Sequence, residues 1–167
     1  EIPEVIRTRM ATLVDENVLP LSLGGDHFVT YPILQALAAK HGPISLIHFD
    51  AHSDTWEDED GRIDHGTMFF HAAKQGIVDV SRSIQLGMRT FNPETHGYEV
   101  RHANWMHANG VHATIAAIRE RVGTHPCYVS FDVDFLDPAY APGTGTPVVG
   151  GFSTQDALRL IRGLAGL

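Results

Sequence analysis

The chain is nearly devoid of cysteine, since Cys127 is the single one among 167 residues. One thiol excludes a disulfide framework and a metal site built from several thiolates, and it suits a reducing compartment. No apolar run approaches the roughly 20 residues that a membrane-spanning helix needs. The first residues also lack the basic and then apolar pattern of a secretory signal peptide. These absences predict a cytoplasmic protein without a membrane partner.

Positive charge is scarce as well. The 12 Lys and Arg residues are outnumbered by 20 Asp and Glu residues, which gives a formal net charge of −8. Surfaces that bind nucleic acid are usually basic, so this balance argues against nucleic acid as a partner and is compatible with a small cationic substrate. The length and an ordinary hydrophobic content of 43% suit one domain over residues 1–167.

Strand-like and helical patterns alternate along the chain. A strand, a crossover helix and a second strand form a right-handed unit with parallel strands. The alternation therefore predicts an α/β protein with a mainly parallel sheet. Ser153, with Asp156 three residues later, is an acidic variant of the capping box and marks the start of the last helix. The predicted strands are 18–23, 44–49, 83–87 and 127–132, with a possible short one near Trp105, and the predicted helices are 3–17, 30–40, 68–75, 114–122 and the segment after Ser153.

Histidine and aspartate residues stand where three of the predicted strands end. Ligands of α/β proteins bind at the carboxyl ends of the strands, and residues two apart in extended backbone point to the same side. We therefore expect these side chains to converge on one site. His48 has the same spacing but lies within an apolar run, where it is predicted to be a buried, hydrogen-bonded histidine. The candidate ligands are His27 after the first strand, Asp50, His52 and Asp54 after the second, and Asp132 and Asp134 at the end of the last.

The number and chemistry of these candidates indicate two metal ions. Six ligands are too many for one tetrahedral zinc, whereas four carboxylates and two imidazoles suit two manganese(II) or magnesium ions that share aspartates. Two divalent ions and four aspartates balance, so a bridging hydroxide leaves a charge of about −1, which favours a monocationic group as substrate. Metal-bound water, with its pKa lowered to about 7, is a nucleophile for hydrolysis at carbon. His65, beyond the cluster, is a candidate proton shuttle.

Three sequence blocks together resemble the motifs of the ureohydrolases, the family of arginase, agmatinase and formiminoglutamase. The blocks are residues 24–27 (GGDH), 50–54 (DAHSD) and 130–138 (SFDVDFLDP), in the order and spacing of the family. Residues 64–69 (DHGTMF) and 141–147 (APGTGTP) look more like the agmatinase branch than the arginase branch. The resemblance covers essentially the whole chain. It implies an arginase-like, three-layer α-β-α fold, a hydrolase of linear amidines, and a homo-oligomer, either trimer or hexamer.

The resemblance also implies roles for individual residues. It implies two Mn²⁺ ions per subunit, with Asp50 and Asp132 bridging them. Asp54 would also orient the bridging hydroxide and so take part in catalysis, and His65 would match the mobile histidine that transfers a proton in this family. One ion would be held by His27, Asp50, Asp54 and Asp132, and the other by Asp50, His52, Asp132 and Asp134.

The reaction that the resemblance implies is hydrolysis of agmatine to putrescine and urea. A guanidino acid such as 4-guanidinobutyrate stays open as an alternative substrate, although the acidic run at 57–60 (EDED) favours a cationic tail. A zinc deacetylase on a related fold is a rival, but it would need only one metal and fewer ligands. A non-catalytic, metal-binding homologue that regulates a partner enzyme is an alternative from another class.

The chain also departs from the family pattern. Family members are longer at both ends, and their guanidinium-binding glutamate lies on a later strand to which no residue here corresponds. We therefore expect the 167 residues to be a fragment, truncated at both ends, of a single ureohydrolase-type catalytic domain.

Overall fold

The computed structural model describes residues 2–57 and 60–167. The chain forms two units, the first made of Glu1–Ile44 and Asp54–Asp79 and the second of Ser45–Ser53 and Val80–Leu167. Each unit therefore combines two separate stretches of sequence, and the candidate ligands at 50–54 fall on both sides of a boundary. In the described part of the chain, no helix is both long enough and apolar enough to cross a membrane.

The first unit is built from three helices, α1 (Ile2–Asp15), α2 (Thr30–His41) and α3 (Met68–Lys74). α1 packs against α2 and buries Met10 and Val14, which lie one turn apart on the same side of the helix. Near the end of α2, the ammonium of Lys40 donates to the carbonyl oxygen of Val14 and to Oδ1 of Asn17, which is 3.1 Å away. These bonds satisfy acceptors at the end of α1, and the three helices confirm the predictions at 3–17, 30–40 and 68–75.

The second unit contains four strands, β1 (Ser45–Phe49), β2 (Ile84–Met88), β3 (Glu99–His102) and β4 (Cys127–Phe131). They form one sheet in the order β3-β2-β1-β4, and every neighbouring pair is parallel. β1 lies between β2 and β4, and all of its residues are buried. A strand covered on both faces reads as a nearly continuous apolar run, which explains the sequence from Leu46 to Phe49. The sheet confirms the predicted α/β class.

Two helices, α4 (Ala103–Val122) and α5 (Thr154–Gly163), complete the second unit. Ile118 of α4 and Leu160 of α5 belong to the same buried cluster as Phe49 and Leu86 of the sheet. The predicted cap of α5 is confirmed, because Oγ of Ser153 accepts a hydrogen bond from the backbone N–H of Asp156 at 3.1 Å. A single apolar cluster thus joins both helices to the sheet.

Two predictions about secondary structure are wrong. Residues 18–23 form no strand, and Leu19, Leu21 and Leu23 are exposed by 95%, 88% and 91%. A strand needs a neighbour for its backbone hydrogen bonds, and the apolar alternation alone does not supply one. Trp105 lies in α4 rather than in a strand. β4, predicted at 127–132, pairs only with β1 in the described residues and is half exposed.

Helix α4 begins earlier than the helix predicted at 114–122. Gly110 has φ 77° and ψ 178° inside it, so the element consists of two helical segments joined at a kink. Only glycine adopts such dihedrals readily, and the kink breaks the periodicity on which the prediction depended. β3 was missed for a related reason, because its residues are polar or only partly buried and carry no strong apolar pattern.

Gly87 of β2 is expected to tolerate no side chain. Its φ is +90°, and an added Cβ would stand 2.5 Å from Cδ2 of Phe135 and 2.9 Å from the carbonyl oxygen of Asp50. Gly123 has φ +64° but only one neighbour, an atom of His125 at 3.8 Å. Both Gly→Ala variants strain the backbone, and only Gly87→Ala adds a clash. We expect Gly87→Ala to lower the free energy of unfolding by about 2 kcal/mol more than Gly123→Ala.

Urea denaturation of the two variants in the complete protein measures this difference. Equal losses would show that the backbone dihedral alone, and not close packing against Phe135, requires glycine at position 87.

Candidate metal centre

Asp50 follows β1 directly, and the sheet fixes its position. Its backbone N–H donates to the carbonyl oxygen of Leu86 at 3.0 Å, which continues the pairing of β1 with β2 by one residue. The residue is only 1% exposed. Its Oδ1 accepts the backbone N–H of His52 at 2.6 Å, and its Oδ2 lies 2.9 Å from Nε2 of His48. The buried carboxylate therefore has a hydrogen-bond partner on each oxygen.

Asp132 and Asp134 lie at the end of β4. The backbone N–H of Asp132 donates to the carbonyl oxygen of Phe49 at 2.9 Å, so the pairing of β1 with β4 also extends one residue beyond the strand. Oδ1 of Asp132 then accepts the backbone N–H of Asp134 at 3.0 Å and caps a 3₁₀ turn, Val133–Phe135. The sequence predicted a strand over 127–132, and the two-residue spacing of Asp132 and Asp134 was interpreted as extended backbone. The structure instead places Asp134 inside the turn, because the cap bends the chain.

The carboxylate of Asp134 is buried and held from two sides. Its Oδ1 accepts the backbone N–H of Ala51 at 3.0 Å, and its Oδ2 accepts the hydroxyl of Thr146 at 3.1 Å. Thr146 belongs to the glycine- and proline-rich loop 137–151. The loop therefore supplies a hydrogen bond to a candidate ligand.

Asp50, His52 and Asp134 form a group in the second unit, with ligand atoms that all lie within 4.8 Å of one another. Nδ1 of His52 lies 3.0 Å from Oδ2 of Asp134 and 3.2 Å from Oδ1 of Asp50. Hydrogen bonds from the imidazole to Asp134 and then to Asp50 raise the pKa of His52 to about 10. Two carboxylates whose ligand oxygens lie within 4.8 Å of each other repel unless positive charge lies beside them.

This donor set fits a hard divalent cation. Oxygen-rich sites with some imidazole suit manganese or magnesium, and the two carboxylates are almost fully buried, at 1% and 3% exposure for Asp50 and Asp134. Asp132 is not a member of this close group among the described residues. Its role as a bridging ligand stays a prediction.

The first unit contains the other two candidate ligands. Nδ1 of His27 lies 2.8 Å from Oδ2 of Asp54, and both side chains are nearly buried. The ring of Phe69 meets the imidazole of His27 edge to face, with 5.7 Å between centroids. Asp54 has φ 55°, so the chain turns there and the segment 50–54 is not the extended stretch that the sequence predicted. Aspartate is uncommon at positive φ, and such residues cluster at functional sites.

His65 also belongs to the first unit and is well exposed. Its side chain is 59% accessible, and its Nδ1 lies 3.2 Å from Oδ2 of Asp26, which is 61% accessible. The turn that carries it is held by the backbone N–H of Gly66, which donates to Oδ1 of Asp64 at 3.0 Å. An exposed imidazole on a fixed turn can exchange protons with solvent, as a proton carrier must. Of the acidic run at 57–60, Asp58 and Glu59 lie outside the described residues.

His48 is fully buried and hydrogen-bonded to Asp50, which confirms the prediction made for it. Gln85 of β2 was not singled out from the sequence. Its Nε2 lies 3.2 Å from Nδ1 of His48 and 2.6 Å from the carbonyl oxygen of Ser53. The available signal was a polar amide within an apolar strand, where a buried partner is required.

Arg89 is a second residue that the sequence did not identify. Its guanidinium is half-buried, and burial lowers its pKa while the carboxylates of Asp134, Asp50 and Asp137 oppose this effect. It ties the end of β2 to the turn that carries Asp134 and to the loop beyond it. The guanidinium donates to five backbone carbonyl oxygens, those of Gly87, Asp134, Phe135, Leu136 and Val148.

The arginase family model matches residues 1–167. Among curated proteins, the agmatinase of Chromobacterium violaceum is 51% identical over 158 residues, which cover 93% of this chain and 49% of the relative. The agmatinase of Neisseria meningitidis serogroup C is 50% identical over 164 residues, covering 98% and 53%. The chain thus spans about half the length of the curated relatives it matches.

Solved structures give the same pattern of similarity. A hypothetical agmatinase from Burkholderia thailandensis is 49% identical with a TM-score of 0.95, covering 99% of this chain and 52% of that one. Proclavaminate amidino hydrolase from Streptomyces clavuligerus is 38% identical with a TM-score of 0.88, covering 96% and 56%. Arginase from Bacillus cereus, at 24% identity and a TM-score of 0.84 over 95% and 62%, shares the fold.

Arg89→Lys tests whether the guanidinium holds this edge of the sheet together. Lysine keeps the charge, but one ammonium cannot replace a planar fork that reaches five carbonyl oxygens. Hydrogen bonds from charged groups contribute about 1.5–3 kcal/mol each, so we expect a loss of about 3 kcal/mol in the free energy of unfolding. Amide hydrogen exchange at Phe135 and Leu136 should quicken as well.

Arg159→Lys is the matched control, because Arg159 lies on α5 with a single contact to Asp156 at 3.8 Å. Exposed ion pairs of this kind contribute about 0–1 kcal/mol. A loss in Arg89→Lys no larger than in the control would show that the fork does not stabilise the turn.

Proposed function

The chain belongs to the arginase family, and on that basis we propose that it is the metal-binding part of an enzyme that hydrolyses agmatine to putrescine and urea. The observation that carries the proposal is the identity of about 50% to curated agmatinases over nearly the whole chain. The buried group of Asp50, His52 and Asp134 supports it, because a divalent metal held there would make water a nucleophile at neutral pH.

We propose that two Mn²⁺ ions are held by six residues, namely His27, Asp50, His52, Asp54, Asp132 and Asp134. Within the second unit, the close group formed by Asp50, His52 and Asp134 supports this assignment. Within the first unit, the contact of 2.8 Å between His27 and Asp54 supports it. The assignment of these five residues, together with Asp132, to one pair of ions comes from the family resemblance and not from a distance between the two units. Two divalent ions supply Lewis acidity and lower the pKa of water to about 7.

Two side chains of the protein are assigned to orient the attacking water and to transfer a proton. Hydrolysis forms a carbon–oxygen bond from water, breaks the bond between the guanidinium carbon and its substituted nitrogen, and requires that the departing amine take up a proton. Asp54 is a hydrogen-bond acceptor with a fixed backbone at φ 55°, and we assign it to orient the attacking water. His65 is exposed, and an imidazole can both accept and donate a proton, so we assign it to carry the proton to the amine.

Charge favours agmatine as the substrate, since its guanidinium is a cation and the proposed site is rich in carboxylates. A guanidino acid is a second candidate, favoured by the 38% identity to a protein named proclavaminate amidino hydrolase. A metal-binding homologue without activity is a third possibility that the assay below separates. Family membership further supports a homo-oligomer, a cytoplasmic location and one catalytic domain that includes residues 1–167.

The complete protein, loaded with Mn²⁺, is expected to release urea from agmatine at least about tenfold faster than from 4-guanidinobutyrate or arginine, because one misplaced charge in a desolvated site costs more than 1.4 kcal/mol. Urea is measured by a colorimetric assay and metal by elemental analysis, with a chelated sample restored by Mn²⁺ as the control. No more than one ion per chain, together with no urea from any guanidino compound, would overturn the proposal.

His65→Asn is expected to retain both ions and to lower kcat by about 10²–10⁴-fold with little change in KM, because asparagine cannot carry a proton. His41→Asn, an exposed histidine at the end of α2, is the matched control and should keep full activity. If His65→Asn instead loses metal, His65 is a ligand and its assignment as a proton carrier is wrong.

A further inference from the structure

We propose that Gln85 fixes His48 in a single tautomer, and that His48 thereby positions the Asp50 carboxylate for metal binding without being a ligand itself. The inference concerns three residues of the second unit that lie on β1, on β2 and just after β1. It rests on the proposed metal centre, since Asp50 is one of the proposed ligands. Gln85 and His48 are positioning residues in this proposal.

The register of the sheet brings the two side chains together. His48 of β1 and Gln85 of β2 are direct partners in the parallel pairing. Paired residues project to the same face of a sheet, so their side chains meet. Both residues are fully buried, at 0% exposure, so neither polar group can turn to water. Each must therefore be satisfied by the protein around it.

The carbonyl oxygen of Ser53 determines the orientation of the Gln85 amide. A backbone carbonyl can only accept, and it lies 2.6 Å from Nε2 of Gln85. Turning the amide over would bring Oε1 against this oxygen, two acceptors at hydrogen-bond distance. Oε1 finds no hydrogen-bond partner among the described residues, so the amide is held through its two donors. The side chain of Gln85 consequently presents an N–H group to its other neighbour.

That neighbour is Nδ1 of His48, which lies 3.2 Å from Nε2 of Gln85. Because the amide donates, Nδ1 must accept and cannot carry a hydrogen. A neutral imidazole then holds its hydrogen on Nε2. Nε2 lies 2.9 Å from Oδ2 of Asp50, so it donates to the carboxylate. A series of donors and acceptors thus runs from the Ser53 carbonyl to Asp50.

Two consequences follow for the metal centre. Nε2 carries a hydrogen and has no lone pair for a cation, and the lone pair of Nδ1 accepts from Gln85. His48 is therefore excluded as a metal ligand, although it contacts the proposed ligand Asp50. The hydrogen bond also fixes the rotation of the Asp50 carboxylate, whose Oδ1 is already bonded to the N–H of His52 at 2.6 Å. Partners that orient metal ligands in this way contribute about 10–100-fold to metal affinity.

Long-range ¹H–¹⁵N correlation spectra of the complete protein, labelled with ¹⁵N-histidine, read the tautomer directly. The His48 signal is identified by its loss in His48→Gln. We expect wild-type His48 to carry its hydrogen on Nε2 alone. A hydrogen on Nδ1 in the wild-type protein would overturn the proposal, and the tautomer itself is read on the protein without any substitution.

Gln85→Met removes both donors at nearly constant volume. We expect His48 of this variant to populate both tautomers, with its hydrogen on Nδ1 or on Nε2. We also expect Mn²⁺ binding, measured by calorimetry, to weaken by about 10–100-fold. Gln75→Met is the matched control, because the side-chain Oε1 of Gln75 accepts the Tyr31 hydroxyl within the first unit, so this variant should change neither readout. Gln85→Glu is a second variant, in which an ionised carboxylate cannot donate to His48, and it should weaken Mn²⁺ binding as well.

Unchanged tautomer and unchanged Mn²⁺ affinity in a folded Gln85 variant would also overturn the proposal. Neither readout involves a substrate. A failure to release urea would therefore contradict the proposed reaction and leave the assignment of Gln85 and His48 standing, whereas a wrong tautomer would contradict only the latter.

Discussion

Burial of two carboxylates is the constraint on which the site in the second unit depends. Asp50 and Asp134 are almost fully withdrawn from water, and an isolated ionised group in such a place is costly enough that it would take up a proton instead. Each carboxylate is therefore surrounded by donors. Asp50 has the N–H of His52 and Nε2 of His48, and Asp134 has the N–H of Ala51 and the Thr146 hydroxyl. The divalent cation proposed for this site would add the charge that these neutral donors cannot supply.

The donors come from separate elements, and the parallel sheet is what assembles them. β1 is central, so one strand end faces both β2 and β4, and the backbone pairing continues through Asp50 and Asp132 on either side. A hairpin would bring its partner back at the opposite end, whereas parallel strands bring their carboxyl ends to one edge. Arg89 then joins the end of β2 to the turn after β4 through carbonyl oxygens alone. The site is thus positioned by the backbone pairing of the strands together with the side chain of Arg89.

The sequence predicted much of this arrangement and missed the parts that depend on distant contacts. Aspartate after an apolar run indicated the strand ends correctly at Asp50, and the burial of His48 followed from its apolar neighbours. The bend at Asp54 and the 3₁₀ turn at Asp134 were not predicted, because the two-residue spacing of the aspartates was interpreted as extended backbone. Gln85 was missed because its partner Ser53 lies 32 residues away. The strand predicted at 18–23 from its apolar residues is wrong, because no strand among the described residues pairs with this segment.

The candidate site and the apolar core adjoin at two consecutive residues, Asp134 and Phe135. Asp134 faces His52, and the next residue, Phe135, stacks on Phe152 with 4.5 Å between ring centroids. Phe135 also fills the space left by the missing side chain of Gly87, so the ring and the strand approach closely. Close packing of this kind leaves little room for water beneath the carboxylates, which strengthens every electrostatic interaction above it. The position of Asp134 therefore depends on the aromatic packing of Phe135 as well as on its own hydrogen bonds, so core substitutions beside this turn should change metal affinity before they unfold the protein.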